Sequence, residues 1–209
     1  MKKIINYKKI LTKALMHNDE IINLKDLKGK SVIFVVDMTN GFCKVGNLAS
    51  SKINDIVPAI GNLLTAAIAN QIEIIALNDH HSMNNPEFKS YPIHCLANNK
   101  ESELVPELQF PEIKIIKKNS TNGFFVLDTN QPWTWENIII VGCCTDICVY
   151  QLALNCKTWC NEQNQLINIF VPKTMTTTFD SSEHPSELLN MLFWYSMLQN
   201  GIKIIKDVQ

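Results

Sequence analysis

Four apolar runs in this sequence are each followed at once by residues that can do chemistry. Asp37 closes SVIFVVD (31–37), and Asp79, His80 and His81 follow IEIIAL (72–77). Lys117 and Lys118 follow IKII (113–116), and the segment Cys143 to Cys148 follows NIIIVG (137–142). A carboxylate, an Asp/His cluster, an amine and a thiol at adjacent strand ends suit nucleophilic hydrolysis. In open α/β sheets, ligands bind beyond the carboxyl ends of the strands.

Cys148 lies in GCCTDICV (142–149), in the first turn of a helix predicted over 145–161. Thr145 or Asp146 can cap that helix. A helix N-terminus favours an anion, so a thiol there ionises more readily. The unpaired N–H groups of the same turn can hold an oxyanion. Each residue also has an ordinary structural reading. Cys156 and Cys160 read as small buried hydrophobes, the common state of free cysteine. Cys143 and Cys144 look structural as well, since they lack a CxxC pairing. Asp37 could cap a turn. Lys118 could be a solvated edge lysine, and Lys117 is an equal occupant on spacing alone.

The segment NDHHSMNNPEFKSYPIHC (78–95) holds three of the chain's five histidines. A solvated polar loop would have this composition too. Asp79, His81 and His94, with Glu87 between them, nevertheless make a fair nitrogen and oxygen donor set for a divalent ion. Zinc is the first expectation, with manganese and iron as alternatives.

These residues need a scaffold. The apolar runs, together with LINIFV (166–171) and IKII (202–205), are rich in Ile and Val and barely alternate, as strands buried on both faces do. Helical spacing appears over 52–70 (Ile53, Ile56, Ile60, Leu63, Leu64, Ala67), 145–161 (Cys148, Leu152, Cys156, Cys160) and 183–199 (Leu188, Leu192, Tyr195). Strand–helix alternation predicts an α/β class fold: a doubly wound parallel sheet with helices on both faces, in three layers. Residues 78–110 form a long polar stretch without clear periodicity, a length that in compact domains is often functional. Residues 1–27 read as an amphipathic helical extension, with Ile4, Ile5, Leu11 and Leu15 on one side, and 28–209 as one domain. Hydrophobic residues are 46% of the chain and charged residues 19%, which excludes wholesale disorder. A net charge of −1 argues against nucleic-acid or membrane-surface partners. The expected partner is a small molecule, with homo-oligomerisation left open. No apolar run spans the roughly 18 residues of a membrane helix, and Lys8, Lys9 and Lys13 interrupt any signal-peptide core at the N-terminus. The cytoplasm is therefore the expected compartment, and the seven cysteines read as thiols.

DMTNGF (37–42), the lysine before NSTNGF (119–124) and GCCTDICV (142–149) resemble the three signatures of the isochorismatase-like cysteine hydrolases. Within them the chain is most similar to the nicotinamidases, over residues 30 to 205. The resemblance implies Cys148 as nucleophile, Asp37 as proton acceptor and later donor, and Lys118 as the group bridging them. It implies a cis peptide at Cys143–Cys144, with the backbone N–H groups of Cys144 and Cys148 as oxyanion donors. It also implies Asp79, His81, Glu87 and His94 as metal ligands, and His80 outside the set. The metal would bind a pyridine nitrogen between the rings of Phe42 and Tyr91, for which ordinary packing is the alternative. Two positions depart from the pattern: Thr39 and Gly41 stand where the family often has Gln and Asp, which bears on the substrate wall. The implied activity is hydrolysis of nicotinamide to nicotinate and ammonia in NAD salvage. Another amide, carbamoyl or vinyl-ether hydrolysis is the sibling reading, and a metal or thiol sensor without turnover is the reading from a different class. Under the enzyme reading, Lys118 and the helix N-terminus predict a readily ionised Cys148, with one proton shared between it and Asp37.

Overall fold

The computed structural model describes residues 7–16 and 19–209. In chain order the elements are α1 (Tyr7–Met16), β1 (Ile21–Ile22), β2 (Ser31–Val36), α2 (Asn40–Cys43), α3 (Ser51–Asn54), α4 (Val57–Ala69), β3 (Glu73–Asp79), β4 (Lys114–Lys118) and β5 (Asn137–Cys143). They continue with α5 (Cys148–Glu162), β6 (Asn168–Pro172), β7 (Thr176–Thr177), α6 (Ser186–Gln199), β8 (Lys203–Ile205) and β9 (Asp207–Val208). The main sheet is parallel in the order β4-β3-β2-β5-β6-β8, with β7 added beside β5. The expected doubly wound parallel sheet is present.

The central strands are buried on both faces, which is why their sequences barely alternate. In β2, Ile33 and Val35 pack with Ile60, Leu63 and Leu64 of α4. Val32, Phe34 and Val36 of the same strand face the opposite layer, with Val149, Leu152 and Ala153 of α5 and Met197 of α6. The chain runs outward from β2 through β3 to β4, and from β5 through β6 to β8. The sheet order therefore reverses between β2 and β5, and the crevice beyond their carboxyl ends is the switch point where such sheets bind ligands.

Several boundaries differ from the sequence expectation. The helix expected over 52–70 is two helices, because Pro58 lacks an N–H and starts α4 afresh. The strand at 113–116 runs instead from Lys114 to Lys118, paired with β3 so that Lys118 stands opposite Asp79. Leu188 and Leu192 of α6 are exposed, while Asn190 and Met197 are buried. Leu11 and Leu15 of α1 are buried as expected; Ile4 and Ile5 lie outside the described residues. The segment after α1 is tied to the other end of the chain, since β1 pairs in parallel with β9.

Candidate active site and metal centre

β2 ends where Asp37 turns the chain at φ 53°, a left-handed conformation that non-glycine residues rarely adopt. Its backbone N–H donates to Leu77 O at 3.0 Å, and its Oδ1 accepts from Asp79 N at 2.8 Å. The carboxylate is thereby fixed across the gap between β2 and β3. Lys118 reaches the same point from the edge strand β4. Strand alternation leaves Lys117 exposed and Lys118 at 1% exposure. The ammonium meets Asp37 Oδ2 at 2.8 Å, donates to Asp79 Oδ1, and donates to Ser120 O at 3.1 Å. One lysine thus lies between two buried carboxylates.

The charge states follow from this burial. Burial, then the neighbouring Asp79 carboxylate, push Asp37 up to about 7 against the pull of Lys118. Asp79 is pushed up by burial as well, but Lys118, His81 and His94 outweigh it and hold its carboxyl well below the usual range. Burial opposes the charge on Lys118, yet the two carboxylates hold it protonated. For Cys148, burial is the largest effect and raises the thiol; Lys118 lowers it, and Asp37 and Asp79 raise it again. The expectation of a readily ionised Cys148 is therefore corrected. The proton is held on sulfur because burial of the thiol outweighs the pull of Lys118, and Asp37 and Asp79 add to the rise.

Cys148 is the first residue of α5 and is 5% exposed. The expected caps are also corrected. Ile147 occupies the cap position with no side-chain bond, Asp146 turns to His184, and the Thr145 hydroxyl is buried without a partner. The peptide bond between Cys143 and Cys144 is cis. Cys143 Sγ donates to Asp37 O at 3.3 Å, which joins the ends of β5 and β2. The N–H groups of Ile147 and Val149 both donate to Cys144 O. Those of Cys144 and Cys148 have no acceptor among the described residues.

The long stretch after β3 folds over this point and supplies the donor cluster. One donor atom each from Asp79, His81, Glu87 and His94 lies within 4.8 Å of all the others, and His80 is outside the group. His81 Nε2 stands 3.4 Å from Asp79 Oδ2 and 3.6 Å from Glu87 Oε1. His94 Nε2 stands 3.6 Å and 3.8 Å from the same two oxygens. Four ligands about 2.1 Å from a shared zinc ion would be ~3.4 Å apart. The other atom of each side chain is already engaged. Asp79 Oδ1 takes Lys118, Glu87 Oε2 accepts from Thr121 N at 3.0 Å, His94 Nδ1 meets Pro92 O at 2.7 Å, and His81 Nδ1 meets the Asn85 amide at 2.8 Å. His81 Nε2 and Glu87 Oε1 are buried with no hydrogen-bond partner. Buried polar atoms left unpaired and converging on one point fit a divalent metal ion, and their neighbours orient them as partners of metal ligands do.

Thiol and donor cluster open on one cavity of about 320 Å³, the lower end of small-molecule sites. Cys144, Cys148, Asp79, Glu87 and His94 line it, as do Phe42 and Tyr91. The Phe42 and Tyr91 rings stand edge-on to His94, with centroids 5.5 Å and 6.3 Å away. The departure at 41 has a physical explanation. A Cβ on Gly41 would lie 2.6 Å from Cys95 Sγ, so no larger side chain fits, and Thr39 Oγ1 is 3.5 Å from the same sulfur. Sequence reasoning missed Asn85, Thr121, Phe179 and His184. Asn85 could have been seen from its place in the polar stretch. Phe179 and His184 follow β7, whose two residues carry no readable periodicity.

The isochorismatase-domain family profile matches residues 31–158. Nicotinamidase 1 of Arabidopsis thaliana is 27% identical, over 84% of this chain and 85% of the relative. The pyrazinamidase of Pyrococcus horikoshii, solved in complex with zinc, superposes with a TM-score of 0.69 at 22% identity, over 85% of this chain and 99% of that one. The N-carbamoylsarcosine amidase of Thermoplasma acidophilum does so with a TM-score of 0.66 at 20% identity, over 85% and 96%. Among the described residues, no helix is long and apolar enough to cross a membrane.

Proposed function

This chain belongs to the isochorismatase domain family, and we propose that it is a cysteine amidohydrolase of small carboxamides, most specifically a nicotinamidase. Asp37, as carboxylate, accepts the Cys148 proton as the sulfur attacks the amide carbon. The tetrahedral oxyanion is met by the N–H groups of Cys144 and Cys148, and preorganised donors of this kind are commonly worth several kcal/mol. Protonated Asp37 then delivers its proton to the departing ammonia, leaving a thioester on Cys148. Water, deprotonated by Asp37, hydrolyses the thioester and releases the carboxylate product. Splitting the reaction in this way replaces one hard step with two easier ones. Lys118 stays charged throughout and holds Asp37 and Asp79 at fixed positions.

Asp79, His81, Glu87 and His94 are our ligands for a divalent ion, assigned as zinc from the mixed nitrogen and oxygen donors. When bound, it supplies a Lewis-acidic anchor for a pyridine nitrogen. Phe42 and Tyr91 flank the ring. A place in NAD salvage, in the cytoplasm, belongs to the same reading.

The observation that carries this reading is that one cavity presents both a buried thiol beside an Asp–Lys pair and a four-donor cluster. A second reading, hydrolysis of another small amide or carbamoyl compound, is favoured by the departures at Thr39 and Gly41, since Gly41 directly precedes Phe42 of the cavity lining. Ammonia release across an amide panel, with and without a chelator, separates the two. Nicotinamide should exceed benzamide in kcat/KM by at least about tenfold, since benzamide has no ring nitrogen to hold. Equal values, insensitive to chelator, would favour the second reading.

A further inference from the structure

Phe179 and Asp180 line the cavity together with Cys144, Ile147 and Cys148. They are delivered there by β7, which pairs with the end of β5, and by Thr145 N, which donates to Thr177 O at 3.0 Å. Phe179 packs against the main core cluster, and its ring is also covered by His184. The two rings stack with centroids 3.7 Å apart and an interplanar angle of 11°. His184 Nδ1 meets Phe179 O at 3.0 Å, and its Nε2 meets Asp146 Oδ2 at 2.8 Å. Asp146 precedes the nucleophile by two residues, and its side chain is buried. The turn that carries His184 is closed independently: Ser181 and His184 exchange backbone hydrogen bonds, and Asp180 Oδ1 accepts from Ser186 N at the start of α6. Removing the imidazole therefore uncovers one face of the Phe179 ring and loosens it without removing the turn.

We propose that His184 is a positioning residue that sets the width of the substrate cavity, by clamping the Phe179 wall to the Asp146 loop that carries Cys148. The clamp makes the site selective for flat, single-ring amides, a specificity that rests on the amidase reading of the cavity. It acts on binding and access rather than on bond breaking, because neither His184 nor Asp146 lines the cavity.

Two readouts test it. In steady-state kinetics, His184→Ala should raise KM for nicotinamide about five- to twentyfold with kcat within about twofold, the mark of lost ground-state positioning. Independently of any substrate, Cys148 is alkylated with small iodoacetamide and with bulky N-phenylmaleimide, and the adducts are mapped by mass. The bulky-to-small rate ratio should rise at least about fivefold in His184→Ala, since a freed wall admits larger groups. His184→Gln keeps a donor toward Asp146 and should restore at least half of the difference. Asp146→Asn weakens the same link from the other side without opening a void, and should move the ratio in the same direction. An alkylation ratio within twofold of wild type in His184→Ala and Asp146→Asn, or a Gln variant indistinguishable from Ala, overturns the clamp. Wild-type protein that hydrolyses no amide overturns the functional reading instead, and the alkylation ratios still decide the clamp.

Discussion

Asp37 has an ordinary pKa of 3.8 and is pushed up to about 7, by burial first and by Asp79 second. In the proposed mechanism it must be ionised to take the thiol proton, so kcat/KM should fall as pH drops through about 7. Lys118 is what pulls Asp37 down, so Lys118→Ala should move that limb to higher pH. It should also destabilise the fold by about 3–5 kcal/mol, since two buried carboxylates lose their cation. A pH–rate profile and a denaturant titration check both effects. Stability gives a second sign. A carboxyl whose folded pKa is raised contributes stability that is lost as pH rises from 3.8 to about 7. Asp37→Asn carries no such charge, so its melting temperature should gain on that of wild type over this window. A constant difference would contradict the assignment. Asp37 and Lys118 stand out in the sequence because they follow apolar runs, and Cys148 because GCCTDICV follows the next one. Their protonation was not legible, because it depends on charges brought together from three strands. The choice between Lys117 and Lys118 needed the edge strand's alternation.

At the scale of elements, the site depends on how β2 meets β5. Gly142 stands opposite Val36 at φ 114°, and a Cβ there would lie 2.1 Å from Val36 O. Gly142→Ala should therefore force the two strand ends apart, costing about 3 kcal/mol or more by clash and backbone strain. Activity should fall further than stability alone explains, since Cys143 and Cys144 follow directly. Comparing kcat/KM per folded molecule with the denaturation midpoint tests this. The Ile- and Val-rich strands were readable because burial on both faces leaves a continuous apolar run. The break between α3 and α4 was not, since the apolar spacing continues through it and only Pro58 marks it. The segment showed its proposed donors but not its path, because three short 3₁₀ helices, Pro86–Lys89, Lys100–Ser102 and Pro106–Leu108, carry it between β3 and β4 without a readable period. In that segment, His94→Ala should lower bound metal, measured by elemental analysis after dialysis, and raise KM for pyridine amides. Full metal content in that variant would remove His94 from the ligand set.

Across the whole molecule, α1 and the β1–β9 pair close the fold. Leu15 of α1 is buried in the layer formed by α5 and α6, and β1 pairs with β9. Leu15→Ala should cost about 2–5 kcal/mol. At roughly 2–4 °C per kcal/mol for a chain of this size, the melting temperature should drop by several degrees. The amidase activity of the folded fraction should persist, because the proposed catalytic and donor groups all come from β2 onward. The layer order and the switch point followed from the alternation of strand and helix patterns. The docking of α1 did not, because a short amphipathic helix carries no address for its partner.

The central claim is that Cys148 carries the acyl group of a small carboxamide. Acid-quenched mass mapping of protein incubated with nicotinamide, alongside the release of nicotinate and ammonia, tests it most directly. Equimolar products are expected, with a nicotinoyl adduct confined to the Cys148 peptide among the seven cysteines and turnover reduced by about 10⁴-fold or more in Cys148→Ala. An adduct on another cysteine, or a Cys148→Ala protein that still releases nicotinate at a rate near wild type, would contradict it.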